Sequence, residues 1–156
     1  MNKYARNAVL GLLAISATSW GFQAGNLSGT WHLNVEKSRW GRHRKPVSVV
    51  VNVEHNEPVL KYMGTVIDAD GDSRTISFDE KIDGKEYSTE TGSGPGKISV
   101  SRSDANTLAV LVKSDDGRLI QMVRTTLSGD GKTLTRRLNL KAPDGQQIWT
   151  EVYEKK

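Results

Sequence analysis

The sequence predicts an all-β protein that folds as a closed up-and-down antiparallel β-barrel of eight to ten strands. From Gly25 onward, apolar and polar residues alternate with a period of two, which is typical of half-buried strands. Turn-forming residues interrupt the alternation every ten to fourteen residues, and no apolar stripe has helical spacing. A closed barrel is the arrangement that leaves about ten short strands without a long exposed edge.

The N-terminus has the pattern of a secretory signal peptide. Lys3 and Arg6 precede an apolar stretch over residues 8–17, which is too short to span a bilayer comfortably. No other apolar stretch approaches the length of a membrane span. We therefore expect an exported protein, periplasmic or secreted, without a transmembrane segment.

Small residues permit cleavage of this signal after Gly21 or after Ala24. We assign residues 1–24 to the signal peptide and residues 25–156 to one barrel domain. The chain has no cysteine, which excludes disulfides, thiolate catalysis and cysteine-ligated metal sites. A domain of this size can fold on its hydrophobic core alone.

The alternation divides the domain into ten predicted strands, taken in chain order. They cover residues 28–35, 47–55, 58–67, 73–80, 85–91, 97–103, 107–114, 118–127, 132–140 and 146–154. The separators are rich in glycine, aspartate, asparagine and proline, as in Asp83-Gly84, Gly92 to Gly96 and Gly129-Asp130-Gly131. These residues supply the positive or preset φ of a tight reversal.

The pattern shows which face points inward in some predicted strands, but it leaves the inward face of residues 132–140 undecided. Val47, Val49, Val51 and Val53 share one side of the second strand. In residues 132–140, Arg136 lies on one side with leucines and Arg137 lies on the other with threonines. An arginine therefore faces inward in either register, and we include Arg137 among the interior candidates.

Basic residues are concentrated in one segment, residues 37–45. Loss of Lys3 and Arg6 with the signal lowers the formal charge from +4 to +2. The segment contains five cations and no acid. Its candidate anion-binding residues, which include an aromatic side chain able to enter a lipid interface, are Arg39, Trp40, Arg42, Arg44 and Lys45. The other interpretation is a solvated loop that folds Trp40 over the barrel end.

Both ends of the domain resemble known barrel proteins. Gly29-Thr30-Trp31 is similar to the Gly-x-Trp opening of lipocalins and fatty-acid-binding proteins, and residues 152–155 are similar to the end of the latter. Secreted bacterial lipocalin-like proteins share the opening and a Glu-Lys-Ser segment, here residues 36–38. The sequence thus resembles the calycin superfamily. Only residues 36–46 are available where fatty-acid-binding proteins insert a helical lid, so we expect a short loop there.

The resemblance implies that the barrel interior holds a small, partly apolar molecule. In fatty-acid-binding relatives an arginine and an Arg-x-Tyr pair hold the ligand carboxylate. Arg124 matches the first arginine and Tyr153 the tyrosine, whereas Glu151 replaces the second arginine. Because Glu151 can neutralise Arg124, the alternatives to an anchor for an anionic ligand are an internal ion pair with water and plain solvent exposure of these side chains. The resemblance also places Trp31 at the barrel base, under Arg136 or Arg137.

The sequence contains no recognisable catalytic or metal-binding motif. Its histidines, His32, His43 and His55, fall on different predicted elements, and Gly-x-Ser-x-Gly is absent. We expect no enzyme, cofactor, metal or nucleic-acid partner. The alternative function is an envelope-associated interaction module that uses residues 37–45 and has a filled barrel core. A cavity of several hundred Å³ favours the binding protein over this module.

Overall fold

The structure, a computed structural model, describes residues 24–156, so the predicted signal peptide lies outside the described residues except for Ala24. Within this range there are ten strands and no helix. The strands are β1 (Gly29–Leu33), β2 (Ser48–Asn56), β3 (Val59–Ile67), β4 (Ser73–Lys81), β5 (Tyr87–Thr91), β6 (Gly94–Asp104), β7 (Thr107–Ser114), β8 (Ile120–Leu127), β9 (Thr133–Ala142) and β10 (Gly145–Lys155). Among residues 24–156, none forms a helix with the length and hydrophobicity that crossing a bilayer requires.

The ten strands form one antiparallel sheet that curls into a barrel. Their order is β4-β3-β2-β1-β10-β9-β8-β7-β6-β5. The first and last strands are neighbours, with Trp31 aligned to Lys155 and Leu33 aligned to Tyr153. The predicted all-β fold, the meander and the pairing of the two terminal strands are confirmed.

The ring of hydrogen bonds is interrupted between β4 and β5, the two outer strands of the sheet. Below this gap the two sides are joined by an isolated parallel bridge between Ile82 and Val100. The amide of Gly84 also donates to the carbonyl of Val100 at 2.9 Å. The barrel is therefore nearly closed, and the gap gives solvent a lateral route toward its interior.

A short loop over residues 34–47 follows β1, as predicted, where fatty-acid-binding proteins carry a helical lid. Arg39 and Thr150 exchange two backbone hydrogen bonds of 2.7 and 2.8 Å, which attach the loop to β10. The Ser38 hydroxyl donates to the Asn34 carbonyl at 2.7 Å. The loop thus lies fixed against the upper end of the barrel, the end that also carries the β3–β4, β5–β6, β7–β8 and β9–β10 turns.

Strand β6 begins three residues earlier than predicted. We expected Gly92 to Gly96 to form a turn, but only its first part does so, and Gly94 with φ of 99° ends the reversal. Gly96 is already paired in the sheet, where a Cβ atom would lie 2.2 Å from the Lys113 carbonyl oxygen. A glycine that permits close approach of two strands has the same local sequence signal as a glycine in a turn.

The core consists of two clusters stacked along the barrel axis. The lower cluster surrounds Trp31, which is fully buried and donates from Nε1 to the Leu27 carbonyl at 2.9 Å. The upper cluster contains Val123, Leu138 and Trp149. The Trp31 ring closes the base as expected, but the cation beside it is Lys155, with Nζ 5.3 Å from the ring centroid. The expected contact of Trp31 with Arg136 or Arg137 is wrong, because Arg136 lies over the rings of Tyr62 and Tyr153 and Arg137 is exposed on the outer face.

Candidate ligand-binding cavity

A cavity of about 610 Å³ occupies the barrel between the two core clusters and extends to the upper end. Its walls are mostly the inward aliphatic side chains of β2, β3, β7 and β9, such as Val51, Leu60, Val112 and Leu138. The alternation of each strand places these side chains inside and their polar neighbours outside. The volume lies within the range of about 300 to 1,000 Å³ that is usual for small-molecule sites.

The cavity opens beside β4. Ile76 and Phe78 point to the cavity, yet Ile76 remains 45% exposed because no strand pairs with β4 on its free side. Two exposed ion pairs border the opening. Arg44 binds the Asp70 carboxylate through two hydrogen bonds of 2.9 Å, and Arg74 Nε lies 3.0 Å from Asp68. A molecule can therefore reach the apolar interior without disrupting the closed base.

A polar cluster lies on the cavity wall between the apolar clusters. Arg136 Nη1 is 3.4 Å from Glu151 Oε2 and donates to the Tyr62 hydroxyl at 2.8 Å. Glu151 also accepts from Tyr153 Oη and from Trp149 Nε1, both at 2.8 Å. This arrangement satisfies both carboxylate oxygens, which is the condition for a buried carboxylate to be tolerated.

The strand register assembles this cluster. On β10, Trp149, Glu151 and Tyr153 alternate inward. The register aligns Glu151 with Arg136 of β9. Leucines of β9 lie opposite Trp149 and Tyr153, so apolar pairs flank the ion pair above and below. The charged pair is consequently shielded from bulk water, and its side chains retain only 15% and 10% of their exposed surface.

Burial and neighbours determine the protonation of the cluster. Burial opposes the charge on Arg136, but Tyr62, Tyr153 and Glu151 around it raise the pKa of its guanidinium above the ordinary value. Burial raises the pKa of the Tyr153 hydroxyl above that of an ordinary phenol. The guanidinium therefore stays charged, and the Tyr153 hydroxyl keeps the proton that it donates to Glu151.

Two of the four predicted interior residues lie on the outer face. Glu151 and Tyr153 are inside the barrel, whereas Arg124 and Arg137 are exposed and directly opposite each other across β8 and β9. The expectation that Arg124 points inward is wrong because Val123 occupies the inner face of β8 and successive side chains alternate. The same rule turns Arg137 outward once Leu138 is inside.

The residues missing from the predicted site are Arg136, Tyr62 and Trp149. Arg136 was one of two alternatives that the pattern of β9 left open. Tyr62 had a sequence signal, because it shares a face of β3 with the buried residues Leu60 and Val66. Nothing local indicates that Tyr62 lies next to Arg136, since 74 positions separate them along the chain.

The basic segment, residues 37–45, packs onto the upper end of the barrel. Trp40 is half-buried against the upper cluster, and its Nε1 donates to the Val35 carbonyl at 3.3 Å. The His43 ring stacks on Trp149 with centroids 3.9 Å apart. Three of the five cations have carboxylate partners, in the pairs Lys37–Glu154, Arg44–Asp70 and Lys45–Glu36. Arg39 and Arg42 are exposed and form no ion pair within the described residues.

No group of three or more histidine, aspartate or glutamate side chains converges within residues 24–156 in a way that suits a metal ion. The contacts of His55 are structural. Its Nδ1 accepts from the Leu27 amide at 3.1 Å, and its Nε2 lies 2.9 Å from Glu57. These contacts hold the segment before β1 against the base of the barrel.

Three solved structures with a similar fold are named as binding proteins for fatty acids or bile acids. A fatty-acid-binding protein of Schistosoma mansoni in complex with arachidonic acid aligns with a TM-score of 0.54 and 15% identity, over 83% of this chain and 96% of that chain. Zebrafish ileal bile-acid-binding protein with cholic acid aligns with a TM-score of 0.52 and 17% identity, over 83% of this chain and 98% of that chain. As-p18, an extracellular fatty-acid-binding protein, aligns with a TM-score of 0.54 and 11% identity, over 83% of this chain and 96% of that chain. No protein-family model and no curated protein matches the sequence. The chain therefore has the fold of the calycin superfamily.

Proposed function

We propose that this protein is an exported binding protein that holds a small, partly apolar molecule in the barrel interior. The observation that carries the proposal is the cavity of about 610 Å³, whose aliphatic walls surround one polar cluster. Sites of this composition bury the apolar part of a ligand and orient it through few polar contacts. The fatty-acid-binding and bile-acid-binding names of the structural neighbours are consistent with this type of function.

The polar cluster is the proposed anchor for the ligand. Arg136 and Tyr62 lie on the cavity wall with Glu151 and Tyr153. Hydrogen bonds within the cluster limit the movement of these side chains, so their donors are oriented before a ligand arrives. The aliphatic walls above and below then receive the apolar part of the ligand.

Export is the second part of the proposal and depends on residues 1–24. Their charged and apolar segments have the order of a secretory signal. The Gly25 amide donates to the Ala105 carbonyl at 2.7 Å, so the packed domain begins near the proposed cleavage sites. Intact mass measurement of protein from the periplasm or medium should give a chain that starts at Phe22 or Gly25. A full-length chain confined to the cytoplasm would contradict export.

A pair of variants on β7 tests ligand binding. Val112 lines the cavity, whereas the adjacent Leu111 lies on the outer face. Val112→Trp should fill the cavity and weaken binding of the uncharged lipophilic dye Nile red by about tenfold or more, because the large ring occupies the ligand volume. Leu111→Trp should leave dye affinity unchanged. Fluorescence titration measures the affinities, and circular dichroism verifies the fold of each variant.

Native mass spectrometry of protein purified from its source provides an independent test. We expect a bound molecule that dissociates on denaturation and can be identified after extraction. A protein that is consistently empty and does not bind Nile red would contradict the proposal. That result would favour the interaction module, for which co-sedimentation with anionic but not neutral vesicles is the corresponding measurement.

The interaction module has less structural support than the binding protein. It requires a filled core, whereas the barrel encloses a cavity of several hundred Å³. It also requires a free Trp40, whereas this side chain packs on the upper cluster.

A further inference from the structure

The charged groups on the cavity wall balance each other. Three arginines and three acids line the cavity: Arg44, Arg74, Arg136, Asp68, Glu90 and Glu151. Arg136 and Glu151 alone lie deep inside, and they form an ion pair with each other. An incoming head group therefore meets a site with no formal net charge.

The hydrogen bonds of the cluster leave donors free, whereas each carboxylate oxygen of Glu151 already has a partner. Glu151 Oε1 accepts from Trp149, and Oε2 accepts from Tyr153 and contacts Arg136. Arg136 donates only through Nη1, and its Nη2 makes no hydrogen bond to the described residues. The Tyr62 hydroxyl accepts from Arg136 and has no acceptor for its own proton within the described residues. The donors Arg136 Nη2 and the Tyr62 hydroxyl belong to side chains on the cavity wall, whereas Arg136 Nε is buried without a hydrogen-bond partner among the described residues.

A ligand carboxylate is poorly matched to this site. Moving an anion out of water is costly and requires a cation that is not already neutralised. Attraction to Arg136 would be opposed by repulsion from Glu151, which lies only 3.4 Å from the guanidinium. A carbonyl, ester or ether oxygen loses much less hydration and accepts a hydrogen bond from the same donors.

We infer that the ligand of this cavity has an uncharged head group with a hydrogen-bond acceptor, held by Arg136 Nη2 and the Tyr62 hydroxyl, and an apolar chain along the aliphatic walls. The inference rests on the proposed binding function and specifies its ligand class. It separates this protein from carriers that neutralise a ligand carboxylate with unpaired arginines. The pairing of Arg136 with Glu151 is the feature that makes the difference.

The test compares three probes that share an apolar chain: methyl dodecanoate, dodecanoic acid and dodecane. At neutral pH the acid is ionised, because a carboxyl group ordinarily has a pKa of about 4. Displacement of Nile red from the wild-type protein should show the ester binding at least about tenfold more tightly than the acid. The ester should also bind more tightly than dodecane, which lacks the acceptor.

A charge variant tests the role of Glu151. Glu151→Gln leaves the Arg136 charge uncompensated, so the affinity for dodecanoic acid should rise to equal or exceed that for the ester. Glu154→Gln is the matched control, because Glu154 lies on the outer face of β10 beside Lys37. The control should keep the wild-type preference. The wild-type comparison stands without the variants if Glu151→Gln proves unstable.

The outcomes distinguish the inference from the function on which it rests. If wild-type protein binds the acid as tightly as the ester or more tightly, the inferred ligand class is wrong, and the binding function stands. If the protein binds Nile red but has no higher affinity for the ester than for dodecane, the inferred hydrogen bond between the head group and Arg136 or Tyr62 is wrong. If none of the probes binds, the proposed function fails together with the inference.

Discussion

Neighbouring arginines on β9 have opposite environments. The side chain of Arg136 is 15% exposed and lies between Tyr62 and Tyr153, with its guanidinium carbon 5.3 and 5.6 Å from their ring centroids. Arg137 is exposed on the outer face. A buried cation contributes to stability only through its partners, whereas an exposed one contributes little. The identity of the residue is thus a weaker guide than its position in the strand.

This difference predicts unequal costs of substitution. Arg136→Met should lower the free energy of unfolding by about 3 kcal/mol, because it leaves the Glu151 carboxylate buried without its cation. Arg137→Met should change the free energy by less than about 0.5 kcal/mol, since the side chain is exposed. Urea denaturation of both variants measures the difference.

A double variant identifies the cause of the loss. Arg136→Met combined with Glu151→Gln should recover a large part of the stability, because no uncompensated charge remains inside. Equal losses in the two single arginine variants would show that the ion pair lies in a well-hydrated environment.

The turns show how local chemistry specifies elements of this barrel. Between β8 and β9, Asp130 accepts from the Ser128 hydroxyl at 2.6 Å and from the Lys132 amide at 3.0 Å. The turn between β7 and β8 repeats this pattern with Asp116, which accepts from Ser114 and from the Arg118 amide. In each turn a glycine with positive φ follows the aspartate. These contacts lie within five residues, which is why the turns were predictable from sequence.

Two glycines on either side of Asp130 provide a matched test. Gly131 has φ of 70°, whereas Gly129 is not in the left-handed region, and a Cβ atom at either position meets no neighbour within 4 Å. Gly131→Ala should therefore lower the free energy of unfolding by about 1 to 2 kcal/mol through backbone strain alone. Gly129→Ala should be neutral or slightly stabilising. Thermal unfolding compares the variants, and equal effects would contradict the conformational explanation.

The whole molecule is a ring with one interruption. Strand β1 joins β2 to β10, so the N-terminal and C-terminal strands are held between neighbours on both sides. Strands β4 and β5 each have one paired edge and one open edge. Most side chains of β4 are exposed, in contrast to the buried inner face of β10. Stability is therefore expected to be lowest beside the gap, where the cavity opens.

Hydrogen exchange should detect this gradient. Amides of β4 should exchange at least about tenfold faster than those of β10, because fewer buried contacts must open to expose them. Mass spectrometry of peptides from both strands measures the rates in one experiment. Bound ligand should slow exchange near Ile76 more than in β10, since Ile76 lines the cavity at its opening. Uniform protection around the barrel would contradict a gap that admits ligands.

Alternation and turn chemistry were sufficient to predict the ten strands, the hairpin connections between them and a short loop after β1, because each depends on residues that are close in sequence. The interior site was predictable only in part. Glu151 and Tyr153 were named, while Arg124 was placed on the wrong face and Arg136 was not distinguished from Arg137. A shift of one residue exchanges the two faces of a strand, and the sequence of β9 contains too few apolar residues to exclude that shift.

The tertiary structure decided which charges meet and whether the barrel contains space. Arg136, Glu151 and Tyr62 come from three strands, and only the register around the ring brings their polar atoms within 2.8 to 3.4 Å. The cavity of about 610 Å³ likewise depends on how the side chains of all the strands fit together. The residue pattern specifies each strand and turn locally. Contacts between distant strands and the volume that they enclose arise from packing of the complete barrel.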